Sequence, residues 1–326
     1  MYKYWFERIL PQGVWATAIW ALVCWSLLSL TFAWAPGYFW PEITAANASA
    51  LGTSLFFASM LVYAVTAGGW VIRRSETLVR EMTLTCSAEQ QVQIARSMAR
   101  TSKRRAFWVL AGSLAAGLIH NMFLQDSISI FEMFNDALSA GLTMGTLMSW
   151  FVITHVVVAF IINAEAFADL GDRYVDVDLL DPMPMNVIGR AALMPTLGLI
   201  GTQALYPLLW LGGSSNMGAI LPGFIVTTAS LVYLFLKTTL PIHRRIRAAK
   251  HAALNGVREE IERARAMDLP RGELVAILGY REYLERCSEW PFRTSSVVRW
   301  SLYLLIPPLT WVGAALIENV VDLYLA

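Results

Sequence analysis

Charge is what this 326-residue chain has least of: Asp, Glu, Lys and Arg make up 15% of it, against 56% hydrophobic residues. An ordinary soluble domain carries about a quarter charged residues, so that class is excluded at the outset. Cysteine is nearly absent. Three residues, Cys24 in an apolar run and Cys86 and Cys287 in charged segments, give no basis for a disulfide framework. Histidine is scarce too, at four residues, and no His or Cys spacing matches a zinc site. A P-loop, a dinucleotide fingerprint and a Ser or Cys triad pattern are all missing. The chain is therefore expected to be no enzyme and to carry no cofactor or metal. Its net charge of +1 says nothing about nucleic acid, because the basic residues follow the membrane-insertion rule described below, and no nucleic-acid partner is expected; internal repeats and low-complexity tracts are lacking.

What the chain does have is seven long apolar stretches, roughly residues 12–34, 51–72, 106–124, 140–163, 190–213, 217–240 and 298–324. At about 1.5 Å per residue, each is long enough to cross a hydrocarbon core about 30 Å thick. Basic residues are missing from every second connection. All 25 Lys and Arg fall at the start (Lys3, Arg8), in the second connection (Arg73 to Arg105), in the fourth (Arg173, Arg190) and in the sixth (Lys237 to Arg299). The remaining segments carry carboxylates alone: Glu42, Asp126, Glu132 and Asp136, then Glu318 and Asp322 near the end of the last stretch. Basic residues beside spans stay on the cytoplasmic side. The expected fold is thus all-α: a polytopic protein of the cell's inner (plasma) membrane with seven transmembrane helices, N-terminus inside, C-terminus outside, and long cytoplasmic helical extensions. The first stretch is too long and too rich in Trp (Trp15, Trp20, Trp25, Trp34) for a cleavable signal. Trp34, Trp40, Trp70, Trp108, Trp210 and Trp300 lie toward span ends, where indole rings settle at the headgroups.

The basic segments have a helical pattern of their own. Arg73 to Met82 continues the second span, and Ser87 with Gln90 resembles a capping box opening a helix into the third. Beyond Leu240, the spacing of Ile246, Lys250, Ala253, Val257, Ile261 and Ala264 predicts an amphipathic rod extending about 35–40 Å past the membrane. Asp268 and Pro270 suit the start of another helix, carrying Leu274, Ile277, Leu278, Tyr283 and Leu284. Trp290 and Pro291 end it, so the last helical region is split at residues 289–292.

Two groups of residues are candidates for a site. On the last span, Ser301, Leu304, Pro308, Trp311, Ala315, Glu318 and Asp322 share one stripe, opposite Leu302, Leu309, Leu316, Val312 and Val320. Carboxylates on such a stripe attract cations if several copies form a ring, and Pro307 with Pro308 should kink the helix. The second group is polar residues at membrane depth, His120, Asn121, His155 and Gln203, as ligand-pocket candidates. Neither histidine sits in a haem-ligation motif. The acidic run Asp169, Asp172, Asp176, Asp178, Asp181 lacks both the EF-hand spacing and the second Asp-rich loop of a membrane prenyltransferase, and pairing with Arg residues of the inner helices is expected instead.

Locally, Val177 to Pro184, Tyr283 to Phe292 and the run LYLLIPPLTWVGAALIE resemble a group of prokaryotic multi-span proteins. As a whole, the inside-to-outside seven-span plan, the inward continuation after Leu240 and the final helix split at Trp290-Pro291 resemble the seven-transmembrane ion channel superfamily that includes insect odorant and gustatory receptors. The family's last-helix signature, a Thr-Tyr pair followed by Gln-Phe, has no counterpart, since Tyr303 follows Leu302 and the span holds no Gln. The resemblance implies a six-helix bundle over residues 1–240, a cytoplasmic anchor over 241–297 and a pore helix over 298–326. It further implies a homotetrameric, non-selective cation channel, with Pro308, Trp311, Ala315, Glu318 and Asp322 along the pore and ligand gating left open. The competing expectation is a secondary transporter or small-molecule binder with its site among spans two to six.

Overall fold

A computed structural model describes residues 4–34, 45–83, 89, 103–126, 129–173, 175, 177–180, 183–210, 217–266, 271–292, 298, 301–313 and 316. Among them the chain is helical throughout, without a strand. The elements are α1 (Trp5–Ile9), α2 (Val14–Trp34), α3 (Ala45–Thr83), α4 (Lys103–Leu124), α5 (Ala137–Arg173), α6 (Met183–Gln203), α7 (Met217–Ala266) and α8 (Arg271–Arg286), followed by α9 (Ser301–Gly313). Six of them, α2 to α7, are long and apolar enough to cross a membrane, and α9 is a shorter apolar helix. Ala315, Glu318 and Asp322 lie outside the described residues, as do Asp176, Asp181 and the capping box at Ser87 and Gln90.

Helices α3, α5 and α6 form the centre. Half or more of their apolar windows is buried, against 6% for α2 and 22% for α4 and α7, which surround them. Small residues allow the close approach that helices in an apolar solvent depend on. A Cβ on Gly145 of α5 would run into the Phe57 ring of α3, and one on Gly201 of α6 into the Tyr63 hydroxyl. Where polar groups enter the centre they bond to one another: Asn163 of α5 donates to Ser75 of α3 at 2.8 Å, both buried.

The short α1 is an element that periodicity does not announce. Phe6 is fully buried in the main core, and Gly68 and Gly69 of α3 make room for Phe6, Val156 and Leu10. Arg73 fastens the end of α1, donating to the carbonyls of Leu10 (2.7 Å) and Pro11 (2.8 Å).

Helix α7 runs for 50 residues without interruption, through Pro222 and Pro241, about 75 Å at helical rise. Its continuation packs through the expected seam: Ile246, Val257, Ile261 and Ala264 are buried, and Leu284 and Ile277 of α8 cover the lower part. The hairpin then turns back at Cys287–Phe292, an elbow attached on two sides. His243 of α7 bonds the Glu289 carbonyl at 2.9 Å and stacks on Trp290 at 4.2 Å, and Lys250 donates to the carbonyls of Glu285 and Cys287. On the α6 side, Pro291 and Phe292 sit against Gly189.

The acidic connection departs from expectation. Among the described residues its carboxylates make no ion pair with arginine. Arg245 bonds instead to the backbone carbonyls of Gly171 and Asp172, closing the C-terminus of α5, and Asp178 accepts from the Leu180 N–H in a local turn. Carbonyls at a helix end lack intrahelical donors, and a guanidinium satisfies two at once.

A matched pair of substitutions tests the elbow. A Cβ on Gly189 overlaps the Pro291 carbonyl, whereas one on Gly279 of α8 meets nothing within 4 Å. Gly189→Ala should cost about 1–3 kcal/mol, and Gly279→Ala should gain about 0.5–1 kcal/mol from helix propensity; thermal unfolding in detergent reads both. Equal effects would show that the elbow does not rest on α6.

Candidate functional site

The last helix is the element with the most unusual attachment. Because Pro307 and Pro308 have no N–H, the carbonyls of Tyr303 and Leu304 lose their helical donors, and the chain tightens into a turn at Leu305, whose N–H reaches the Leu302 carbonyl at 3.1 Å. After that turn, only one edge of α9 meets its own bundle. Leu304 packs on the main core, Pro307 is buried, and Trp311 lies against Phe224 of α7 with ring centroids 5.4 Å apart. The Trp311 indole N–H donates to the Gln203 carbonyl at the end of α6 (3.3 Å). On the opposite side, Val298, Leu302, Leu305, Leu309, Val312 and Leu316 recur by threes and fours and are all exposed.

Trp311 is also the last member of a row of aromatic rings. Phe32 of α2, Phe57 and Phe56 of α3, Tyr206, Phe224 of α7 and Trp311 follow one another with centroid spacings of 5.4 to 6.3 Å. Such pairs add about 0.5–1.5 kcal/mol each beyond their burial. The row crosses the bundle and fixes one end of α9 to it, while the elbow fixes the segment leading into α9 through Trp290 on His243 and Phe292 on Phe235 (5.8 Å). Helix α7 supplies the partner at both ends. Sequence reasoning found the elbow but not the row, because an aromatic contact between distant helices has no spacing along the chain.

Of the stripe expected on the last span, the described residues face different ways. Leu304 and Trp311 face the bundle and Pro308 is exposed on the flank beside them.

The four polar candidates do not come together. His120 of α4 accepts from the Trp150 indole N–H at Nδ1 (2.9 Å), and its Nε2 lies 3.3 Å from the Gly218 carbonyl. Indole only donates and a carbonyl only accepts, so both bonds require a neutral ring with its proton on Nε2. The ring thus joins α4, α5 and α7, and neither nitrogen is left for a ligand or metal. Asn121 donates to the carbonyls of Gly117 and Thr143, in a seam continued by Gln125 and Thr143; its buried Oδ1 finds no partner among the described residues. His155 donates from Nδ1 to the Phe151 carbonyl of its own helix at 2.7 Å. Gln203 donates to Thr228 at 2.7 Å, beside its carbonyl contact with Trp311. Among the described residues no three of His, Cys, Asp and Glu gather as a metal site would need.

Ahead of α5, Asp136 accepts from the backbone N–H and the hydroxyl of Ser139, both at 2.8 Å, which holds its carboxyl below the usual range. A depressed carboxylate adds stability above its unfolded value and loses it as pH falls through the folded one, so this cap belongs to neutral and not acid conditions.

No protein-family model, no curated protein and no solved structure matches the chain. Geometry must therefore supply the functional reading.

The His120 bridge gives a direct test of whether that residue is structural. His120→Phe strands the half-buried Trp150 indole donor and should cost about 1–3 kcal/mol in thermal stability. A drop in function with no loss of stability would make His120 a ligand group instead.

Proposed function

We propose that the chain is one subunit of a homotetrameric, non-selective cation channel of the inner (plasma) membrane, with α9 bordering the pathway. The observation that carries this is the attachment of α9: tied to α7 through Trp311, preceded by an elbow that is itself fixed to α7, in contact with its own bundle along one edge, and open along the other. A helix held in this way can tilt or rotate as a unit between two end points. A transporter needs polar groups converging near the bilayer midplane, whereas His120, His155 and Gln203 occupy three separate places and bond to neighbouring helices or their own backbone.

In this reading the sorting of Lys and Arg sets the N-terminus and the α7–α8 hairpin on the cytoplasmic side and makes the far side an acidic vestibule. Ala315, Glu318 and Asp322, which lie outside the described residues, enter from the sequence alone: the carboxylates concentrate cations at the mouth. Pro308 stands on the flank toward the pathway. Trp311 acts indirectly, by tying α9 to Gln203 and Phe224. No catalytic chemistry is assigned, and small-molecule gating is compatible with the arrangement.

Conductance and gating should separate cleanly in purified channels reconstituted into bilayers. Glu318→Gln with Asp322→Asn should lower single-channel cation conductance about three- to tenfold at low ionic strength, with the difference fading toward 1 M salt, where the screening length is about 3 Å. Trp311→Phe removes the bond to Gln203 and should change the open fraction while leaving conductance as it was. An absence of current under any condition, or a conductance indifferent to both carboxylates, counts against the proposal.

A further inference from the structure

The basic residues where α7 leaves its apolar stretch divide into two sets. Arg245 and Lys250 are bonded to backbone carbonyls, of Gly171 and Asp172 for the one and of Glu285 and Cys287 for the other. Lys237, Arg244 and Arg247 are exposed, and among the described residues they take part in no ion pair or hydrogen bond. At 3.6 residues per turn these three fall within about 80° of one face of the helix. That face lies opposite the buried Leu234, Ile242 and Ile246. Tyr233, 43% exposed, begins it one turn before Lys237. No carboxylate occurs on α7 before Glu259, so the helix offers these cations no counter-charge of its own.

Position along the helix identifies the partner. The apolar stretch ends at Leu240, which puts Lys237 in the last turn of the span and Arg244 and Arg247 one and two turns beyond it. A phenol and a lysine at that depth belong to the headgroup layer, toward which lysine extends its ammonium. Helical side chains lean toward the N-terminus, here the bilayer side, so both arginines reach back to the same layer. Guanidinium groups match phosphate with paired N–H donors. We infer that this face of α7 holds the headgroup of an anionic phospholipid, with Arg244 and Arg247 on the phosphate, Lys237 beside it and Tyr233 against the start of an acyl chain. A zwitterionic headgroup brings its own ammonium, so three uncompensated cations favour a net negative one. The sorting of Lys and Arg along the chain fixes a side of the membrane and nothing more; the retained lipid follows from cations left without protein partners on one face. Its occupancy sets the depth at which α7 leaves the bilayer. The inference needs α7 to span the membrane and stands whether or not the chain conducts ions.

Native mass spectrometry of the full chain, exchanged against equal amounts of phosphatidylglycerol and phosphatidylcholine with matched oleoyl chains, tests it. The unaltered chain should retain phosphatidylglycerol with roughly tenfold or greater preference, and Arg244→Gln should lower that preference about fivefold, the share of one cation at an anionic lipid. Lys237→Gln, Arg244→Gln and Arg247→Gln together should abolish it. Arg258→Gln, Arg263→Gln and Arg265→Gln remove the same charge about 27 Å or more past Leu240 at helical rise and should leave the preference as it was. Arg244→Lys with Arg247→Lys keeps the charge and should keep the preference. Excess inorganic phosphate should fail to displace the lipid. No preference in the unaltered chain overturns the inference, and so does an equal loss in the two triple variants. Displacement by inorganic phosphate also overturns it, since the face would then be an anion site and not a lipid one. The unaltered chain and Arg244→Gln decide the matter even if a triple variant fails to fold.

Discussion

Inside a bilayer no water is at hand to complete a hydrogen bond, and the arrangement of this chain follows from that constraint. A polar side chain that enters the packed centre is favoured there when it finds a protein partner. Asn163 takes Ser75, His120 takes Trp150 and Gly218, and Gln203 takes Thr228. These bonds fix which helix faces meet. Glycines then bring the backbones close enough for the bonds to form, as at Gly145 under Phe57 and Gly201 under Tyr63. Groups that resemble functional suspects in sequence are, in the bundle, mostly the connections between helices.

The same constraint explains the status of α9. Two prolines remove donors from its middle, and the helix keeps a tightened turn at Leu305 and only one edge of contact. Its position is set by α7, through Phe224 and Trp311 at one end and through His243, Lys250 and Phe235 at the elbow. Because α7 is one uninterrupted helix from Phe224 to the hairpin with α8, a single element touches both the elbow and Trp311. The proposed channel depends on this linkage.

Sequence and structure agree where periodicity governs. Six of the seven expected apolar runs are helices of spanning length, while the seventh is a shorter helix over Ser301–Gly313 among the described residues; the seam from Ile246 to Ala264 packs the α7 extension, and the break falls beside Trp290-Pro291. The continuation of α3 to Thr83 follows the expected helix from Arg73 to Met82, whereas α5 reaches Arg173 well past the apolar stretch that ends near residue 163, because polar residues continue a helix as readily as apolar ones. The role of Arg245 went unseen because a backbone carbonyl leaves no mark in sequence. On the last span, counting by threes and fours presumed an unbroken helix. Across the turn at Leu305 the count still holds for Leu304 and Trp311, which both face the bundle, while Pro308 between them is exposed.

The most direct test of the central claim is the symmetry of the purified protein in lipid nanodiscs, imaged as single particles. The account predicts four copies around an axis with α9 the helix nearest to it and its exposed flank toward the opening. A single copy, or an assembly whose axis is lined by α2 or α4 while α9 faces lipid, would contradict it.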